Sequence, residues 1–150
     1  MSHDQDFTES AYRALVRQAK ARYAFLSFSE AAGADAGVLW RHDIDMSVHR
    51  ALALAKIEHA EGVHATYFVY LHSRFYNALE DAIVERLRQI AALGHHIGLH
   101  FDSRFVPAGT DLAAAVDAER RVIESAAGAA VRWVASSFAT DSRTTLAGRA

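Results

Sequence analysis

Two short segments carry the residue types needed for hydrolytic chemistry. The first is Arg41-His42-Asp43-Ile44-Asp45 and the second is Gly94-His95-His96-Ile97-Gly98-Leu99-His100-Phe101-Asp102. Side chains alternate along an extended chain, so Leu39, Arg41 and Asp43 share a face and, if the chain stays extended, Asp45 joins them, roughly 7 Å from Asp43. A site that cleaves an amide with metal-activated water needs a hard anionic ligand and a base for the water's proton, and an acidic doublet supplies both. The same doublet is equally suited to capping a following helix. In the second segment the alternation groups His96, Gly98, His100 and Asp102. His96 and His100 stand roughly 13 Å apart when extended, too far to share one ion. His100, at the carboxyl end, is therefore the candidate ligand, and hydrogen bonding in a core is the other use of a histidine placed there. Gly98 leaves room for another group to approach the backbone.

The flanking elements are those that would bring the two segments together. Helical periodicity runs from Phe7 to Tyr23 (Ala11, Tyr12, Leu15, Val16, Ala19, Tyr23), from Ser47 to Ala60, from Asn77 to Leu93 and from Thr110 to Ala127. Asn77-x-x-Glu80 has the form of a capping box, Thr110 that of a cap, and Gly62, Gly94 and Gly128 are stops. Val38–Asp43, Ala65–Leu71, Ile97–Phe101 and Val131–Ser136 read as strands, and 31–37 as a small-residue loop. Strands alternating with helices predict an α/β fold of parallel β/α units, in which sites form at the carboxyl ends of the strands.

Composition narrows the function classes. The chain has 150 residues, 51% of them hydrophobic and 23% charged, with a formal net charge of −2 and no cysteine. That is enough for one globular core, and it argues against nucleic acid as a partner and removes thiolate chemistry. No signal-like leader or apolar run of membrane-spanning length is present, which predicts a cytoplasmic location and no membrane span. Eight of the nine histidines fall between His42 and His100. His49, His59, His64 and His72 are read as structural or solvated, His42 as packing against a helix, and Arg41 as orienting Asp43 or balancing the acidic pair. Ser73 to Asn77 is expected on the rim, with Tyr76 available to stack on a sugar and Asn77 to cap a helix.

The segments R-H-D-I-D-M-S (Arg41 to Ser47), E-x-x-x-G-V-x-A-T-Y-F-V (Glu58 to Val69), S-R-F-Y-N (Ser73 to Asn77) and G-H-H-I-G-L-H-F-D (Gly94 to Asp102) together resemble the polysaccharide deacetylase family, the NodB-homology or family 4 carbohydrate esterases. The likeness spans about residues 23 to 138. It implies a deformed (β/α) barrel, of which this chain holds about the first half. It also implies removal of an N- or O-acyl group from a carbohydrate, with Asp43 as general base and Asp45 and His100 as ligands of a divalent metal, usually zinc, otherwise cobalt or manganese.

Two departures from the family pattern follow. The second histidine of its H-x-x-x-H metal motif would fall at position 104, where the chain has Arg104, which has no lone pair to donate. Asp102 would then complete an Asp/His/Asp shell, or Arg104 would stand in for the metal's charge and leave a metal-free site like that of allantoinase-like relatives. Family members usually also carry Glu where His96 stands. The second departure is that the pattern dissolves after Ser136-Ser137-Phe138. Residues 1–138 are accordingly expected to form a partial domain, and 139–150 a disordered or non-native tail of a truncated or frame-shifted product. Unpaired strand edges would then favour self-association, and a non-catalytic remnant of the fold is the other functional expectation.

Overall fold

A computed structural model of the chain describes residues 8–136. Helix α1 (Glu9–Lys20) and the short α2 (Phe28–Ala31) precede four strands that alternate with three helices: β1 (Arg41–Ile44), α3 (Val48–Ala60), β2 (Thr66–Tyr70), α4 (Asp81–Ala92), β3 (His96–Phe101), α5 (Leu112–Ala127) and β4 (Val131–Ser136). The strands form one sheet in the order β1-β2-β3-β4, and every pairing is parallel. The α/β class and the partial set of parallel β/α units are as expected. The tail expected at 139–150 lies outside the described residues.

Several boundaries differ from expectation for local reasons. α1 starts after Thr8, whose hydroxyl accepts from the Ala11 amide. Of its apolar stripe only Val16 is fully buried, because the helix packs chiefly on α3, with Tyr12 reaching Trp40 and His42, and leaves Leu15 and Tyr23 exposed. Val38 does not open β1; it makes an isolated parallel bridge to Phe25. Asn77 caps no helix: its Oδ1 accepts from the Leu79 amide and its carbonyl from the Glu80 amide, so it builds a turn ahead of α4. Asp111, rather than Thr110, caps α5 through the Ala113 amide. α2, capped by a Ser27–Glu30 capping box, arises at the edge of what composition marks as a loop.

The two faces of the sheet bury different things. Ile44, Tyr67, Val69, Ile97, Leu99 and Phe101 pack against Val48, Leu52, Ile83, Leu87, Ile90 and Ile123 of α3, α4 and α5. Burying each such side chain stabilises the fold by about 1.5–3 kcal/mol. On the opposite face Phe28 of α2 meets Phe68 edge-on at 5.9 Å and Trp133 at 5.5 Å. Gly98 of β3 lies beneath the Phe68 ring: a Cβ there would come within 2.6 Å of Cδ1. β4 carries one residue more than β3 opposite it, since Ile97 pairs with Val131 but Leu99 with Val134.

One buried charge sits on the helix side. Glu58 is 0% exposed and accepts from Tyr67 Oη (2.6 Å), His42 Nε2 (2.6 Å) and Tyr12 Oη. Burial pushes its carboxyl up, but the bonds from His42, Tyr12 and Tyr67 outweigh burial and hold it below the usual carboxylate range. Nearby, His95 has one defined tautomer: Nε2 donates to the Ala55 carbonyl and Nδ1 accepts from the Ala65 amide, while burial pushes its pKa down. Arg13 and Arg17 of α1 clamp Glu61, whose pKa falls to about 2.

Two outcomes are expected. Gly98→Ala should lower stability to denaturant by about 1–3 kcal/mol, because the rigid Phe68 ring must shift. Carboxylates held low in the folded state stabilise it above their unfolded pKa and lose that contribution as they protonate. His95, kept neutral by burial, adds a loss that begins below its unfolded pKa of about 6.5, so urea stability should start to fall there and fall more steeply below about pH 4.5 as the carboxylates protonate, and Glu58→Gln should flatten part of the lower fall.

Candidate functional site

The parallel register sets the carboxyl ends of the strands side by side. Ile44 pairs with Val69, Tyr70 with His100, and Phe101 with Ser136. Beyond these ends opens a cavity of about 800 Å³ lined by Asp43, Asp45, Tyr70, His100, Arg104 and Ser136, with His72, Arg74, Phe75 and Phe105 also on its wall. All of the expected site residues, Asp43, Asp45 and His100, line it.

Strand alternation delivers Asp43 to this face and turns its neighbours away. His42 stacks on Tyr67 at 4.7 Å and bonds Glu58 on the helix side, as expected. Arg41 fixes Asp43: its Nη2 donates to Oδ1 (2.8 Å) and Oδ2 (2.7 Å), and its Nε to Oδ1 (3.1 Å). The guanidinium itself lies 4.7 Å from the centre of the Phe68 ring, a cation–π contact. Gly98, Phe68, Arg41 and Asp43 thus form one continuous support.

Asp45 lies beyond the end of β1, yet it reaches the cavity, where its Oδ1 is 2.8 Å from His100 Nδ1. The segment carrying it is tied down by its neighbour loop. Ser73 Oγ donates to the Asp45 carbonyl (2.8 Å) and Tyr76 Oη to the Ile44 carbonyl (2.6 Å). Tyr76 also accepts from the Tyr70 amide (3.2 Å), and burial pushes its phenol up to about 12. Its role is to join β1 to β2, and it is the exposed Phe75 beside it that lines the cavity.

Asp102 is where alternation puts it, but it is already committed. It is 1% exposed. Arg104 donates to it through Nε (3.0 Å to each oxygen) and Nη2 (2.5 Å to Oδ2), and its own backbone amide adds a bond to Oδ1 (3.0 Å). Tyr70 Oη donates to Oδ2 at 2.8 Å. The Arg104 guanidinium holds the Asp102 carboxyl well below the usual carboxylate range, and burial followed by the bond to Asp102 raises the Tyr70 phenol.

These commitments decide how well the site suits a metal. Catalytic zinc takes three protein ligands. Asp45 and His100 face each other and offer two donors. The third, Asp102, would have to release Arg104 and Tyr70, so the Asp/His/Asp shell is not assembled. Among the described residues no group of three or more His, Cys, Asp and Glu side chains is placed to hold an ion. The donor set does not fit the expected three-ligand centre.

Several cavity residues escaped the sequence reading. Tyr70 and His72 share the alternation of Thr66 and Phe68, and this parity at the end of β2 was the available signal. His72, read as structural or solvated, stands on the wall with Nε2 2.9 Å from Glu119 Oε1 of α5, its ring stacked on Phe105 at 4.1 Å and 2°. Phe105 belongs to a single 3-10 turn, Ser103–Phe105, which no periodicity announces.

No family model matches the chain, and neither a curated protein nor a solved structure matches it. Among the described residues no helix is long and apolar enough to cross a membrane.

Zinc titration checks the donor argument. The wild-type chain should bind zinc weakly, and Arg104→His, which frees Asp102 and adds an imidazole, should tighten binding about tenfold or more, the size of effect that changes around a metal shell carry.

Proposed function

We propose that this cavity is the catalytic site of a hydrolase that removes an N- or O-acyl group from a carbohydrate. The carrying observation is the contact between Asp45 and His100, 2.8 Å apart beside Asp43 at the carboxyl ends of parallel strands. A carboxylate that orients an imidazole is the usual construction of a general base working near neutral pH.

In this reading His100, oriented by Asp45, takes a proton from a water molecule as that water attacks the acyl carbon. Asp43, fixed in place by Arg41, accepts a hydrogen bond from the water and positions it. The developing oxyanion meets the Arg104 guanidinium at the cavity wall. Collapse of the tetrahedral intermediate breaks the bond to nitrogen or oxygen, the leaving group takes the proton back from His100, and the acid departs. The cavity volume suits a monosaccharide or a short oligosaccharide.

A second reading is favoured by the same 2.8 Å approach of two potential donors. Here Asp45 and His100 would hold a divalent metal, zinc by the family resemblance, and Asp43 would be the base. Bound there, a metal would polarise the acyl oxygen and acidify water. This reading requires Asp102 to leave Arg104.

Acetate release from N- and O-acetylated sugars separates the readings. Under the first, activity survives a chelator, His100→Gln lowers kcat by about 100-fold or more, and Asp43→Asn costs less. Loss of activity on chelation, with Asp43→Asn the most damaging change, would transfer the assignment to the second. No acetate from any acetylated sugar would leave a non-catalytic remnant of the fold.

A further inference from the structure

The cavity wall divides into a charged floor and an aromatic rim, and the rim has its own charge pattern. Asp43 is neutralised by Arg41, Arg104 by Asp102, and Asp45 faces His100. Arg74 is different. It is exposed, lines the cavity, and has no ion-pair partner among the described residues. It sits in the loop that Ser73 and Tyr76 tie to the β1 end, so its backbone is anchored although its side chain reaches solvent.

Two large aromatic side chains line the same cavity as Arg74. Phe75, its neighbour, is 66% exposed, and Phe105 is 50% exposed. Unlike the scattered exposed side chains Leu15, Tyr23 and Val122, these two line one cavity together with Arg74. Phe105 is also braced: one face rests flat on the His72 imidazole, and His72 is held in turn by Glu119. The result is a rigid aromatic shelf with about half its surface open. Sugar rings present C–H faces that suit such a shelf, and a guanidinium fork matches carboxylate or phosphate.

We infer that Arg74, with Phe75 and Phe105, forms a specificity subsite for an anionic substituent on an acylated saccharide. The saccharide part rests on the acyl-hydrolase reading above; the preference for an anion rests on the rim alone. The shared ligand chemistry is a sugar ring bearing one negative group, phosphate or carboxylate.

Calorimetric binding to the intact chain tests this with N-acetylglucosamine, N-acetylglucosamine 1-phosphate and N-acetylmuramic acid, and with inorganic phosphate alone. One or both charged sugars should bind about tenfold or more tighter than the neutral one, the scale of a charge-assisted hydrogen bond. A gain for both marks charge as the determinant, and a gain for one identifies phosphate or carboxylate as the source. Arg74→Gln should erase the gap without moving the melting temperature, Arg74→Lys should keep part of it, and Phe105→Ala should weaken all three sugars. Equal affinities, a gap that survives Arg74→Gln, or inorganic phosphate binding as tightly as the sugar phosphate would overturn the inference. Selective binding with no acetate release would sink the hydrolase and keep the subsite. Release from neutral and charged sugars alike, with no difference in binding, would do the reverse.

Discussion

The parallel hydrogen-bond register of β1, β2 and β3 is the constraint on which the rest of the molecule depends. Because Ile44, Val69 and Leu99 lie level across the sheet, the residues that follow them emerge at one edge. Asp45, Tyr70 and His100 reach a common cavity although they are far apart in the chain. A slip of one residue in any pairing would turn that strand's functional side chain into the helix layer and a hydrophobic one into the cavity. The core enforces the register, since Ile97, Leu99 and Phe101 are buried only in the alignment that turns His100 outward.

The same strand shows how opposite faces cooperate. His42 and Asp43 are adjacent, yet one bonds a buried glutamate behind the sheet and the other an arginine in front of it. Glu58 tolerates full burial because two phenols and an imidazole surround its oxygens, and removing any of them would leave a desolvated polar group. In front, Arg41 holds its carboxylate against an aromatic ring instead of against water. Polar fixation on both sides lets a strand of four residues present its aspartate in one orientation at the sheet edge.

Much of this was legible in the residues. Alternation alone sends Asp43 and His100 to one face and His42, Leu99 and Phe101 to the other, and the β/α order follows from helical and extended periods. What escaped depends on contacts distant in sequence. The pairing of Asp102 with Arg104 and Tyr70 cannot be read from spacing, because an aspartate two residues from a histidine is as good a ligand as a salt-bridge partner until a cation is beside it. Asn77 shows the local version of the problem: its side chain caps a turn instead of a helix, and the two uses share the same sequence pattern. Tyr76 shows another, since an aromatic residue on a rim loop can face a ligand or, as here, spend its hydroxyl on a neighbouring backbone.

That last choice shapes how the cavity mouth behaves. Ser73 and Tyr76 bond to consecutive carbonyls at the end of β1, so the β2–α4 loop and the Asp45 segment are mechanically one piece. The conformational entropy of this loop is surrendered when the chain folds, not when something enters. This side of the mouth is a fixed jaw, set in place before anything enters.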